Sequence, residues 1–177
     1  MANESDAFSI ELLDEAKRFL EKANESGEPD PFLHAALVLA FSALESHLNG
    51  VAEELALRKD LTLLDQSVLA ERSLKLKAGQ WELSPDSRFY RLEDRMAFVF
   101  KRYADTDVTG YAWWSDLKEA LNARNALVHP RDVVSLSPPE LERFVSAIID
   151  GLNDIYIAVF GKGHPAYGRG LQSTLSF

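Results

Sequence analysis

Residues 35–44 read AALVLAFSAL, a run that is apolar at every position except Ser42 and contains neither glycine nor proline. Its side chains would cover almost every side of a helix, as in a helix surrounded by others. Ser42, Glu45 and Asn49 are spaced three and four residues apart and therefore share one face. The pattern predicts a long helix over about 31–58 that runs through the middle of a helical bundle.

Several features bear on where the chain works and what it needs. The apolar run is far short of the roughly 20 residues that a membrane span requires. The first residues, MANESDAFSI, have acids where a secretory signal has bases. The absence of cysteine excludes disulfides, thiolate metal sites and a cysteine nucleophile. We therefore expect a cytoplasmic protein that requires no membrane, metal ion or other cofactor.

Apolar residues recur with helical period in five further segments, and no segment is interpreted as a strand. These helices are expected over about 6–25, 62–74, 87–103, 113–128 and 137–160. The stretch KAGQWELSPD is interpreted as a loop, and the glycine-rich residues 161–177 as a flexible or dimer-crossing tail. The predicted fold class is all-α: one domain over residues 1–177, an antiparallel bundle of five or six helices with its core in about 30–160.

The fourth helix is expected to have two different faces. Its buried stripe would consist of Phe89, Leu92, Met96, Val99 and Tyr103. Another face would carry Arg88, Arg91, Arg95 and Arg102. These arginines could guide RNA to a cleft by charge, or form a solvated face balanced by neighbouring acids.

Net charge limits how the chain could meet a nucleic acid. The chain has a net charge of −9 and a sequence pI of about 4.9, so its average field repels phosphate. Basic residues outnumber acidic ones only locally, between residues 71 and 104. Any phosphate partner would have to be bound by such a local group of positive charges.

The stretch ALNARNALVHPRD places Arg124, Asn125 and His129 within six residues. Residues five apart on a regular helix lie about 140° from each other, but Pro130 disfavours helical backbone at His129. The histidine ring could then turn back beside the last turn. Arginine binds phosphate oxygens in fork geometry, and histidine transfers protons near neutral pH. The set suits cleavage of RNA by its own 2′-hydroxyl; the alternative is a helix end whose residues pair with acids.

Further residues have two open interpretations each. Glu45 and Asn49 could reach the motif helix and hold Arg124, or form a polar stripe between helices. Arg131 could add positive charge where RNA would lie, or be a solvated loop residue. His34 and His47 have no acid or cysteine at ligand spacing and are interpreted as ordinary helix residues rather than zinc ligands.

The chain resembles the HEPN superfamily, the "higher eukaryotes and prokaryotes nucleotide-binding" helical domains. RNALVH at 124–129 is similar to the Arg-Asn-x3-His form of the family's Arg-x4-6-His signature. ALVLAFSALESHLNG at 36–50 is similar to the long apolar helix early in these domains. The resemblance spans about residues 30–160, and its specific part is the six-residue motif.

This resemblance implies a metal-independent endoribonuclease that acts as a homodimer, with the two motif helices lining one cleft. Arg124 would bind the scissile phosphate, His129 would be the general acid or base, and Asn125 would orient either of them. The products would carry 2′,3′-cyclic phosphate and 5′-hydroxyl ends. Members of the family serve as toxins, anti-phage defence effectors or RNA-processing enzymes, which implies RNA and an antitoxin or other regulatory protein as partners.

Two alternatives remain open alongside the enzyme. Some members of the family only bind, so the same fold could be an inactive RNA- or nucleotide-binding module. A structural dimerisation or immunity protein would instead use the acidic surface to meet a basic partner. One subgroup carries a tyrosine two residues after the histidine, as a site of nucleotide transfer. Arg131 occupies that position here, which argues against this form of control.

Overall fold

A computed structural model describes residues 4–130 and 133–177 of the chain. The helices are α1 Glu4–Glu25, α2 Asp30–Ala56, α3 Leu63–Leu69, α4 Leu92–Tyr103, α5 Trp114–Val128 and α6 Pro138–Phe160, and the strands are β1 Arg72–Lys77 and β2 Gln80–Ser87. A short 3₁₀ turn, Val108–Gly110, lies between α4 and α5. The fold is therefore mainly α-helical, as the apolar periodicity predicted.

The helix α2 lies at the centre of the bundle. It contacts α1 along its length and also packs against α3, α5 and α6. Phe41 and Leu44 are fully buried there, together with Met96 from α4 and Ile148 from α6. By length and composition α2 is also the one described helix that could cross a membrane, and 56% of its most apolar window is buried inside the bundle. A central core helix meets the same criterion.

The end signals of α6 explain why its predicted limits were nearly correct. The side chain of Ser137 accepts the Glu140 N–H, and the Glu140 carboxylate accepts the Ser137 N–H, a reciprocal capping box. Pro138 and Pro139 occupy the first turn, where the backbone N–H is not needed. Gly161 ends the helix with a φ of 69°, a left-handed conformation that glycine adopts without steric cost.

The prediction that KAGQWELSPD forms a loop is wrong, because these residues form most of an antiparallel β-hairpin. Leu74 pairs with Leu83, and Leu76 with Trp81. Ala78 and Gly79 join the strands with φ values of 50° and 82°, the positive angles of a type I′ hairpin turn. The alternation of leucine and lysine in RSLKLK is a strand pattern that the helix predicted over 62–74 overlooked.

The start of the fourth helix also differs from the prediction, because β2 extends to Ser87 and residues 88–91 form an irregular segment before the helix. The helix α4 begins at Leu92, and Phe89 before it is 86% exposed rather than buried. The stripe is correct for Met96 and Val99, which are buried.

The predicted arginine face of this helix does not form. Arg88 and Arg91 precede α4, and Arg95 is buried with only 6% of its surface exposed.

Residues 161–177 are not a loose tail but bind α1 of the same chain. The carboxylate of Asp14 accepts backbone N–H groups of residues 171–173. The buried amine of Lys17 donates to the carbonyl oxygens of Arg169, Leu175 and Phe177. The glycines in this segment made it look flexible, and side chains from a distant helix supply the hydrogen bonds that irregular backbone lacks.

Candidate functional site

Arg124 lies on α5 and is held by two other side chains. Its Nη2 donates to Glu45 Oε1 on α2 at 3.0 Å, and its Nη1 donates to Asn125 Oδ1 at 3.2 Å. The side chains of Arg124 and Glu45 are 27% and 41% exposed, so the ion pair lies at the protein surface. Of the two interpretations that were open for Glu45, contact with the motif arginine is the one observed.

This arrangement orients the guanidinium of Arg124 without saturating it. A guanidinium carries five N–H donors in one plane. Within the described part of the chain, Glu45 and Asn125 each accept one of them. The remaining N–H groups are available to an anionic ligand with oxygens in fork geometry.

An open groove with a volume of about 500 Å³ contains this arginine. Its lining consists of Glu45, Tyr90, Arg91, Leu92, Glu93, Leu121, Asn122, Arg124 and Asn125. The lining comes from α2, α5, the start of α4 and the segment that joins β2 to α4. Two guanidiniums, two carboxylates, two amides and an apolar pair thus surround one space large enough for a small organic ligand.

His129 ends α5 but does not line this groove. Its backbone has φ −125° and ψ 65°, outside the helical region as Pro130 predicted, and its N–H donates to Asn125 O at 2.9 Å. The imidazole is exposed, and no described side chain binds it. We expected the ring to turn back beside Arg124. No contact between the two side chains is observed in a single chain.

The remaining predicted site residues are dispersed. Asn49 is exposed on α2, and Arg88 lies over the ring of Tyr90 with 5.2 Å between guanidinium and ring centre. Arg91 lines the groove, whereas Arg131 lies outside the described residues.

Arg95 is not available at the surface, since it pairs with Glu71 at 3.2 Å. Burial lowers the pKa of Arg95, and Glu71 acts in the opposite direction.

Five groove residues were not predicted as site residues from the sequence, namely Tyr90, Leu92, Glu93, Leu121 and Asn122. Asn122 lies three residues before Asn125, so helical spacing could have placed both amides on one face. Tyr90 could not be placed by spacing, because its position depends on the hairpin and on long-range contacts.

The two histidines of α2 lie in different surroundings. Among the described residues, no group of three histidine or acidic side chains is arranged to hold a metal ion. His34 Nε2 lies 3.1 Å from the carbonyl oxygen of Val134, and His47 is 1% exposed. Burial lowers the pKa of His47 to about 4, so its ring is neutral at ordinary pH.

Comparison of the chain with protein-family models, with curated proteins and with solved structures found no match.

Proposed function

We propose that the protein is a metal-independent endoribonuclease of the HEPN type that acts as a homodimer. The observation that carries the proposal is the oriented but unsaturated guanidinium of Arg124 in an open groove. A second guanidinium, that of Arg91, lines the same groove. Glu45 and Glu93 line it too, so the two guanidiniums would bind phosphate by direct contact rather than through an excess of positive charge.

In the proposed reaction the 2′-hydroxyl of RNA attacks the adjacent phosphorus, and the bond to the 5′-oxygen breaks. Arg124 stabilises the negative charge that develops on the phosphate oxygens. Histidine takes the proton from the 2′-hydroxyl or gives one to the leaving oxygen. The products are a 2′,3′-cyclic phosphate and a 5′-hydroxyl end.

In the proposed homodimer, His129 could take part in this reaction across the subunit interface. In one chain the ring is exposed at the end of α5 and outside the groove. Asn125, Ala126 and Val128 are also exposed, so this end of α5 is available to a second copy. We propose that two α5 helices meet here and that each chain supplies His129 to a cleft shared with Arg124.

The test is RNA cleavage by pure protein in the presence of a chelator, with wild type, R124A and H129A compared. Wild type should cleave and leave cyclic phosphate ends, and both variants should be inactive but remain dimeric. R143A is the matched control, because Arg143 is an exposed arginine paired with Asp116 and Glu119 outside the groove. Cleavage by H129A at the wild-type rate, or cleavage that requires added metal, would contradict the proposal.

The absence of His129 from the groove favours a second candidate function, an RNA- or nucleotide-binding module without catalysis. Arg124 would then bind phosphate as it does in the enzyme, and His129 would have no chemical role. RNA affinity, measured with the same proteins alongside cleavage, separates the two functions. A binding module retains RNA affinity in H129A, loses it in R124A and yields no fragments with any variant.

A further inference from the structure

The segment between β2 and α4 forms one wall of the groove and is firmly anchored. The N–H of Tyr90 donates to Glu71 Oε1 at 3.2 Å, and its hydroxyl lies 3.0 Å from Ser67 Oγ. The N–H of Arg88 donates to the carbonyl oxygen of Glu71 at 2.7 Å. These contacts fix the backbone from which the side chain of Arg91 extends, so less backbone freedom is lost when a ligand binds.

The side chain of Arg91 makes little contact with other side chains of the protein. Its side chain is 81% exposed, and Glu93 is 4.0 Å away, which is too long for a hydrogen bond. Arg102, by comparison, contacts two carboxylates, Asp60 and Asp65. An arginine that lines a groove without such engagement retains its donors for an anion.

The rest of the groove has the chemistry of a nucleoside site. Leu92 and Leu121 provide apolar surface for the flat face of a base. The amide of Asn122 has both a donor and an acceptor, the pair that reads the edge of a base. Arg91 and Arg124 provide two places for phosphate in the same groove.

We infer that this groove holds the nucleotide next to the scissile bond, with Arg91 on its outer phosphate and Asn122 on its base. The inference rests on the proposed function for the reaction, and it assigns the substrate class: single-stranded RNA that carries a phosphate on both sides of the bound nucleotide. Arg91 is a binding residue, and Asn122 sets the preference among bases.

Binding is measured with inactive H129A protein, so that cleavage is not required. The probes are the dinucleotides UpU, ApA, CpC and GpG, each with and without an additional terminal phosphate. NMR follows the side-chain amide of Asn122 and the Nε–H of Arg91. We expect the terminal phosphate to tighten binding about tenfold, the value of one charged contact. In H129A protein that also carries R91A, the terminal phosphate should no longer tighten binding for any base. In H129A protein that also carries N122A, the order of affinities among bases should change.

The matched control is R88A, because Arg88 is in the same segment and carries the same charge but does not line the groove. The inference is overturned if R88A and R91A weaken binding equally, or if N122A leaves the order of bases unchanged.

Failure of the inference and failure of the proposed enzyme give different results. Cleavage by wild type with equal effects of R88A and R91A removes only this subsite. If wild type does not cleave RNA, but R91A weakens probe binding and N122A changes the order of affinities among bases, the subsite is supported and the proposed enzyme activity is wrong. If no probe binds H129A or wild type, the subsite is wrong.

Discussion

Arg124 on α5 donates a 3.0 Å hydrogen bond to Glu45 on α2, so the motif arginine is tied to the central helix of the bundle. The pair joins residues 79 positions apart in the sequence. Because Asn125 binds the other terminal nitrogen of Arg124, the plane of the guanidinium is fixed from two sides.

We expect E45A to lower RNA cleavage about tenfold, because Arg124 loses the contact that orients it toward the phosphate. The free energy of unfolding should change by less than about 1 kcal/mol, since partly exposed ion pairs contribute little. Cleavage rates and urea denaturation measure the two effects. The control is E53A, which removes an exposed carboxylate from the same helix. A cleavage rate equal to that of E53A would show that Glu45 does not position Arg124.

Much of this framework could be predicted from apolar spacing. The helix expected over about 31–58 is observed as Asp30–Ala56, and the one expected over about 137–160 as Pro138–Phe160. Both are long and have proline in the first turn, and α6 is capped at both ends, so local sequence was sufficient. The contact between Glu45 and Arg124 could be suggested only as one of two alternatives, because a carboxylate in this polar stripe can either pair with an arginine or remain solvated.

The hairpin and the groove could not be predicted in this way. Each strand is short, so the alternation in RSLKLK covers too few residues to outweigh a helical interpretation. The wall that contains Arg91 is positioned by Glu71, which contacts both Tyr90 and Arg95. Such long-range contacts leave no periodic signal in the sequence.

We expect E71L to lower the free energy of unfolding by about 3 kcal/mol, because it removes the carboxylate that pairs directly with the buried guanidinium of Arg95. The side chain of Arg95 is 7% exposed, so water replaces little of the lost interaction. Chemical denaturation measures the change. K101M is the control, since it breaks an exposed pair with Asp105 and should have little effect. Equal stability of the two variants would show that the pair of Arg95 and Glu71 contributes no net stability.

The segment that follows α6 should depend on Lys17. K17M removes the donor from three backbone carbonyl oxygens and should lower the free energy of unfolding by about 2 kcal/mol. Hydrogen exchange of the amides at 171–173, which bind Asp14 on the same helix, should become faster. K22M, at an exposed position of α1, is the control. Unchanged exchange in K17M would mean that Lys17 does not hold the segment.

The stability of the fold should decrease with acid because of His47. Its ring packs against those of His164 and Tyr156, and neither ring nitrogen has a hydrogen-bond partner among the described residues. Burial lowers the pKa of His47 from 6.5 to about 4. The unfolded chain therefore takes up a proton at a higher pH than the folded protein does.

It follows that neutral His47 makes its full contribution to the free energy of unfolding above about pH 6.5. This contribution is lost as the pH falls toward about 4. The loss should reach about 3 kcal/mol, the free-energy equivalent of this difference in pKa. Urea denaturation between pH 7 and pH 4 measures it. Stability of H47L should fall less steeply over this range than that of wild type, whereas H129L, altered at an exposed histidine, should follow wild type. Parallel curves for H47L and wild type would assign the acid sensitivity to other groups, because only the difference between the two proteins reports on His47.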